Sequence, residues 1–167
     1  MTGDNIRLAE ADLSQVEDYW KLLNDKENQR LVGDPIVERS MDDTGEWLKN
    51  KHKDDNTIIF SIVKGVDFCG YAQVVNINLS NLTGVFGINL SRKWQGRGVG
   101  RTAMLLLNEY CRSQLRLRKL ILHVRSDNIP AVRLYEALNY QIVGCLRDHI
   151  MDEDGYHNEL IMELFLQ

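Results

Sequence analysis

The strongest chemical signal in this chain is the run Trp94-Gln95-Gly96-Arg97-Gly98-Val99-Gly100-Arg101. Glycines at alternate positions let a backbone turn tightly and come close to a ligand. The run follows a stretch that reads as a strand and precedes one that reads as a helix. The first amides of a helix lack backbone partners and lie at the positive end of its dipole, so such a junction cradles phosphate. Arg92, Lys93, Arg97 and Arg101 add cationic side chains around it. A plain glycine-rich surface turn is the competing reading. Two familiar phosphate loops fail in detail. The dinucleotide fingerprint wants GxGxxG and an acid near the end of the next strand, but the spacing here is GxGxG and that strand closes on His123-Val124-Arg125. The nucleotide P-loop wants GxxxxGK[ST], but Gln95 and Arg101 stand at its first glycine and its lysine.

Two more side chains could move protons. Tyr135 recurs with Ala131, Leu134 and Leu138 at helical spacing, which reads as the aromatic member of a core stripe. His123 lies in the compact apolar run Lys119–Val124. It reads as a satisfied buried histidine, or as a proton acceptor, since imidazole ionises near neutrality. Cys69, Cys111 and Cys145 are widely spaced with no CxxC, and read as buried free thiols in a reducing cytoplasm.

The elements that must position these residues follow from periodicity and turn chemistry. Ile6–Leu8 reads as a first strand. A helix capped by Asp12 or Ser14 runs through Val16, Tyr19, Trp20 and Leu23. Residues 24–40 read as a polar connection, after which Asp42 or Thr44 caps a second helix with Trp47 and Leu48 inward. Asp42, Asp43, Asp54 and Asp55 read as cap or turn residues. Strands follow at Ile58–Val63, Cys69–Asn78 and Val85–Leu90, with turns at 64–68 and 79–84. Val99, Ala103, Leu106, Leu107 and Tyr110 mark a helix to about residue 114. Lys119–Val124 is a strand, and Asp127 or Asn128 caps the next helix with Pro130 in its first turn. Strands at Gln141–Leu146 and His157–Phe165 flank an Asp154-Gly155 turn. The order β-α-α-β-β-β-α-β-α-β-β implies an α/β fold, with helices on a mixed sheet.

At 167 residues, with no linker or repeat, the chain reads as a single domain over 1–167. Its 44% hydrophobic and 26% charged content is that of a globular protein and argues against a disordered tail. No apolar run is long enough to cross a bilayer, and no secretory signal is visible near Met1, so a cytoplasmic location is expected. The net charge of −4 hides an asymmetry: residues 91–125 carry nine basic side chains and one acid, Glu109. Such a concentration reads either as a solvated face or as an anion site. The overall charge, and the lack of interleaved aromatics, argue against a nucleic-acid-binding module.

Gln95, Gly98 and Gly100 match the Q/R-x-x-G-x-G/A loop that binds acetyl-CoA pyrophosphate in the GNAT superfamily of N-acetyltransferases. The segment Ser126-Asp127-Asn128-Ile129-Pro130-Ala131-Val132-Arg133-Leu134-Tyr135-Glu136-Ala137-Leu138-Asn139-Tyr140 resembles the family's N-x-x-A-x-x-L-Y-x-x-x-G-F helix. Asn139 and Tyr140 replace its closing Gly-Phe, and asparagine tolerates the left-handed conformation needed there. Asp154-Gly155-Tyr156-His157-Asn158-Glu159-Leu160 resembles the closing hairpin of one branch. That branch holds the spermidine, ribosomal-protein N-terminal and nucleotide-amino-sugar acetyltransferases. The resemblance is strong over 83–165 and weaker over 1–82.

The resemblance implies a GNAT-like fold with splayed central strands, acetyl-CoA as co-substrate and a primary amine as acceptor. It implies that Ile88, Asn89 and Leu90 meet the pantetheine arm and the thioester carbonyl. The pyrophosphate would lie on Gln95, Gly96, Arg97, Gly98, Val99, Gly100 and Arg101. Asn128 would contact the cofactor arm, and Tyr135 would be the general acid for the departing thiolate. A phenol suits that task because it is protonated at neutral pH. Many relatives carry a basic glutamate on the strand before the loop; Val85 stands there, so the base is unassigned. Val32-Gly33-Asp34-Pro35 with Glu38 resembles the acidic pocket of spermidine acetyltransferases, where carboxylates hold a polycation. A polar connecting loop is the plainer reading of Asp34 and Glu38. The acceptor expected is therefore a small amine or polyamine, with a nucleotide-linked amino sugar or a protein N-terminus as alternatives and a non-catalytic acyl-CoA sensor as the rival class. No metal, nucleic acid or membrane is expected, and a homodimer or higher homo-oligomer is left open.

Overall fold

The computed structural model describes residues 5–32 and 37–167. Strand β1 (Ile6–Glu10) leads through a 3-10 turn at Leu13–Gln15, capped by Asp12, into helix α1 (Val16–Leu23). Helices α2 (Lys26–Val32) and α3 (Met41–Lys53) follow. Strands β2 (Ile58–Lys64), β3 (Asp67–Asn78) and β4 (Thr83–Leu90) form a meander. After a 3-10 turn at Arg92–Trp94 come α4 (Val99–Ser113), β5 (Lys119–Arg125), α5 (Ile129–Ala137), β6 (Gln141–Asp152) and β7 (Gly155–Phe165).

One seven-stranded sheet runs in the order β1-β2-β3-β4-β5-β7-β6. Every neighbouring pair is antiparallel except β4 and β5, which are parallel. Strand alternation sends apolar residues to both faces. On one face α4 buries Val99, Ala103, Met104, Leu107 and Cys111 against Ile62, Val74, Phe86, Leu120, Leu122 and Met162. Helix α5 packs on the same face. On the other, α1 and α3 bring Tyr19, Leu22, Leu23 and Leu48 onto Ile59 and Tyr71. Each fully buried aliphatic side chain contributes about 1.5–3 kcal/mol.

Three expectations are corrected. Residues 24–40 are not merely a connection, since α2 forms within them. Its buried residues are Asn28 and Gln29, so it has no apolar stripe for a hydropathy pattern to show. The cap of α3 is Ser40, not Asp42 or Thr44: the Ser40 hydroxyl accepts from the Asp43 amide, and Asp43 reaches back to the Ser40 amide. Cys145 is exposed, whereas Cys69 and Cys111 are buried. In addition, β6 extends six residues beyond Leu146, past a bulge centred near Asp148.

Candidate active site

The site begins with a defect in the sheet. β4 and β5 pair over three rungs only, Thr83–Lys119, Gly84–Leu120 and Val85–Ile121, and then diverge. Residues 86–90 keep their bonds to β3 but turn unpaired backbone groups toward the gap. The gap opens into a cleft of about 580 Å³. Such an edge can pair with any extended ligand that carries amides.

The glycine-rich loop closes one end. Gly96 and Gly98 have φ of 68° and 78°, left-handed values that an L side chain adopts only with strain. Gly98 is the residue preceding α4. A Cβ on either glycine would meet open space, so backbone conformation and ligand access, not packing, call for glycine there. Gly100 differs: its Cβ would lie 3.2 Å from Leu90 Cδ1 and 3.4 Å from Leu134 Cδ2. The Thr102 amide donates to Gly98 O at 3.1 Å, so the amides ahead of it remain for a ligand. Gln95 fixes the loop by donating from Nε2 to Leu90 O (2.9 Å) and to Asn28 Oδ1 (3.1 Å).

Helix α5 forms another wall. Asn128 is its cap, accepting from the Ala131 amide at 3.4 Å, and its Nδ2 donates to Leu31 O at 3.4 Å. Asn139, just past the C-cap Leu138, has φ of 67°, so this asparagine does take the left-handed conformation expected of it. Tyr135 is 8% exposed and lines the cleft, and burial pushes its hydroxyl up to about 12. Among the described residues no group hydrogen-bonds that hydroxyl.

The cleft brings together Ile88, Asn89, Leu90, Gln95, Gly96, Gly98, Gly100, Arg101, Asn128 and Tyr135. Arg97 is exposed outside it, and Val99 is buried in the core rather than lining the cleft. Glu38 is exposed and does not line the cleft; Asp34 lies outside the described residues. The cations share the work unevenly. Arg92 is bound to Asp25 (2.9 Å), Lys93 lies over the Trp94 ring, and Arg101 alone of the four lines the cleft. Farther off, Arg112 pairs with Glu109, Lys119 with Glu163, and Arg118 lies over Phe165. Val85 does line the cleft. His123 is exposed there, not buried, with Nδ1 3.0 Å from Glu159 Oε2.

Sequence reasoning missed two parts. Asn28 of α2 donates to Asn89 Oδ1 and accepts from Gln95, tying β4, the loop and α2 together. Arg125, 2% exposed, binds Asp127, Asp152 and the carbonyl of Arg30, and His157 bridges the same two aspartates. The guanidinium holds both carboxyls below their usual range. Among the described residues no cluster of three or more metal-ligating side chains occurs, and no helix is long and apolar enough to cross a membrane.

A family model described as the acetyltransferase (GNAT) family matches residues 17–140. The chain belongs to this family. It is 31% identical over 110 residues to a spermidine N(1)-acetyltransferase of Vibrio cholerae, covering 65% of this chain and 61% of that one. It is 30% identical over 96 residues to a spermidine N(1)-acetyltransferase of Escherichia coli, covering 58% and 52%. The crystal structure of a Vibrio cholerae spermidine N-acetyltransferase in complex with CoA and spermine superposes with a TM-score of 0.91 at 22% identity, over 96% of this chain and 95% of that one. That likeness concerns the fold.

Proposed function

We propose that this chain transfers an acetyl group from acetyl-CoA to a primary amine. The observation that carries the reading is one cleft that holds an amide cradle at one end and, in its wall, a buried phenol with no bonded partner among the described residues. The cradle suits a pyrophosphate, with Arg101 beside it, and the open edge of β4 suits the amides of a pantetheine arm. Acetyl-CoA supplies the thioester, whose carbonyl carbon is the electrophile. Amides of residues 86–90 orient it, Asn128 lies beside the arm, and Tyr135 holds a proton at Oη for the departing sulfur. Burial disfavours the anion of a phenol and of a thiol alike. A thiolate desolvated in the cleft is thus a stronger base than in water and would draw the Tyr135 proton.

The acceptor in this reading is a small amine or polyamine such as spermidine, in line with the relatives' names and with Asp34 and Glu38 as charge partners. One sheet continuous from β1 to β7 supports a single acetyltransferase domain over 1–167. The long outer edge of β6 offers a surface for a homodimer or higher homo-oligomer, which light scattering on the purified chain checks. Thiol release from acetyl-CoA over a panel of polyamines, monoamines, amino-sugar nucleotides and peptides with free N-termini tests the function. Turnover highest on polyamines is expected. Tight cofactor binding without turnover on any amine would favour the sensor class.

A further inference from the structure

The acceptor-facing side of the cleft holds an unused set of groups. Register puts Gln73 opposite Gly87. Val85 pairs with Ile121, so Gly87 and His123 stand two residues beyond the last rung of their strands, on the same face. Gln73, Gly87 and His123 thus form one row across the sheet where it opens, and all three line the cleft. Glycine at the centre leaves the space between them free: a Cβ there would meet Gln73 Cγ and Nε2 at 3.4 Å. The Gln73 Oε1 atom is buried and has no hydrogen-bond partner among the described residues. A buried carbonyl without a donor is destabilising, and a ligand N–H would remove that cost. His123 is the one described lining residue whose side chain ordinarily ionises near neutrality. Its Nδ1 lies 3.0 Å from Glu159, which sets Nδ1 as the proton-bearing nitrogen and leaves Nε2 with its lone pair.

We propose that this row is the amine subsite, with His123 Nε2 as the base that takes the ammonium proton and Gln73 Oε1 as the acceptor that orients the nitrogen. This rests on the acetyl-transfer reading. The ammonium gives one proton to Nε2, and the imidazolium is steadied by the Glu159 carboxylate. The neutral nitrogen bonds to the acetyl carbon as the carbon–sulfur bond breaks, and sulfur takes the Tyr135 proton. The second proton shed by nitrogen restores Tyr135 through water. His123, 41% exposed, returns its proton to solvent. One proton is released per acetyl transferred. The other charges facing His123 are few. His149 reaches the same Glu159 oxygen at 3.8 Å, Arg125 is held by Asp127 and Asp152, and Glu163 by Lys119. On α2, Arg30 is held by Asp154, while Lys26 and Glu27 are exposed.

The test is a pH profile of kcat/KM on the best amine of the panel. His123→Gln should lower it on the order of 100-fold near pH 7, and the gap should close toward about pH 10, where the amine sheds its own proton. Affinity for acetyl-CoA should not change. Glu159→Leu removes the partner that fixes the ring and its tautomer, so kcat/KM on the amine should fall about tenfold with affinity for acetyl-CoA unchanged. Gln73→Leu should raise KM for the amine about tenfold, the loss of one hydrogen bond to a charged group, with kcat within about twofold. A His123→Gln profile that superimposes on the wild type overturns the proposal. If that variant fails to bind acetyl-CoA, an unchanged kcat/KM in Glu159→Leu overturns it instead. A wild type inactive on every amine overturns the functional reading, and this inference with it, before any variant is made.

Discussion

Tyr135 is a buried phenol whose ionisation burial delays to about 12, so its hydroxyl keeps its proton at neutral pH. Tyr135→Phe keeps the ring and removes the proton. Turnover should fall about 100-fold or more while calorimetric affinity for acetyl-CoA stays within twofold. Gly98 tests the cradle in the opposite sense. With φ at 78° and nothing near its missing Cβ, Gly98→Ala adds strain of about 1–2 kcal/mol where the loop must meet the ligand. Acetyl-CoA affinity should drop about tenfold, with little change in turnover at saturating cofactor. The glycine spacing and the tyrosine were legible in the sequence because backbone freedom and a short motif are local properties. Gln73 and Gly87 were not, and His123 was visible only as a buried histidine or a proton acceptor, since strand register alone puts the three in one row.

Among the elements, α2 shows why part of the site escaped a reading of the chain. Helices are found from sequence by an apolar stripe, and α2 is fastened by polar groups instead. Asn28 bonds Asn89 and Gln95, the Gln29 amide donates to Leu23 O, and Arg125 and Asn128 hold the carbonyls of Arg30 and Leu31. The four helices with apolar or cap signals were legible, as were all seven strands, though β6 was read short. Asn28→Ala leaves the buried Asn89 short of a donor, at about 1–3 kcal/mol, and leaves Gln95 with Leu90 O alone. Amide exchange in 26–32 and in the 95–101 loop should quicken together, with α4 and β2 unchanged. Exchange that quickens in one segment alone would show that they are not coupled.

For the whole molecule, acid should act through the Arg125 cluster. Asp127 and Asp152 are held below the usual carboxylate range, chiefly by hydrogen bonds to the guanidinium. The folded chain then binds fewer protons than the unfolded one below about pH 4, so the stabilisation is complete above that pH and lost as pH falls. The urea midpoint of the wild type should therefore fall steeply as pH drops below about 4, and Asp152→Asn should flatten that fall while lowering the midpoint at pH 7. An unchanged slope would place the acid sensitivity elsewhere.

The opened seam between β4 and β5 has a consequence for folding. On each side of it the strands are knitted antiparallel, and three rungs alone join the two fabrics. A ligand lying in the gap acts as a missing thread: it satisfies backbone groups that the chain itself leaves unmatched. Acetyl-CoA at a hundredfold excess over its dissociation constant should add about 2.7 kcal/mol to global stability. Slowed amide exchange should concentrate in residues 86–90 and 122–125, the two lips of the seam. The co-substrate would thereby complete the sheet as well as supply the acetyl group.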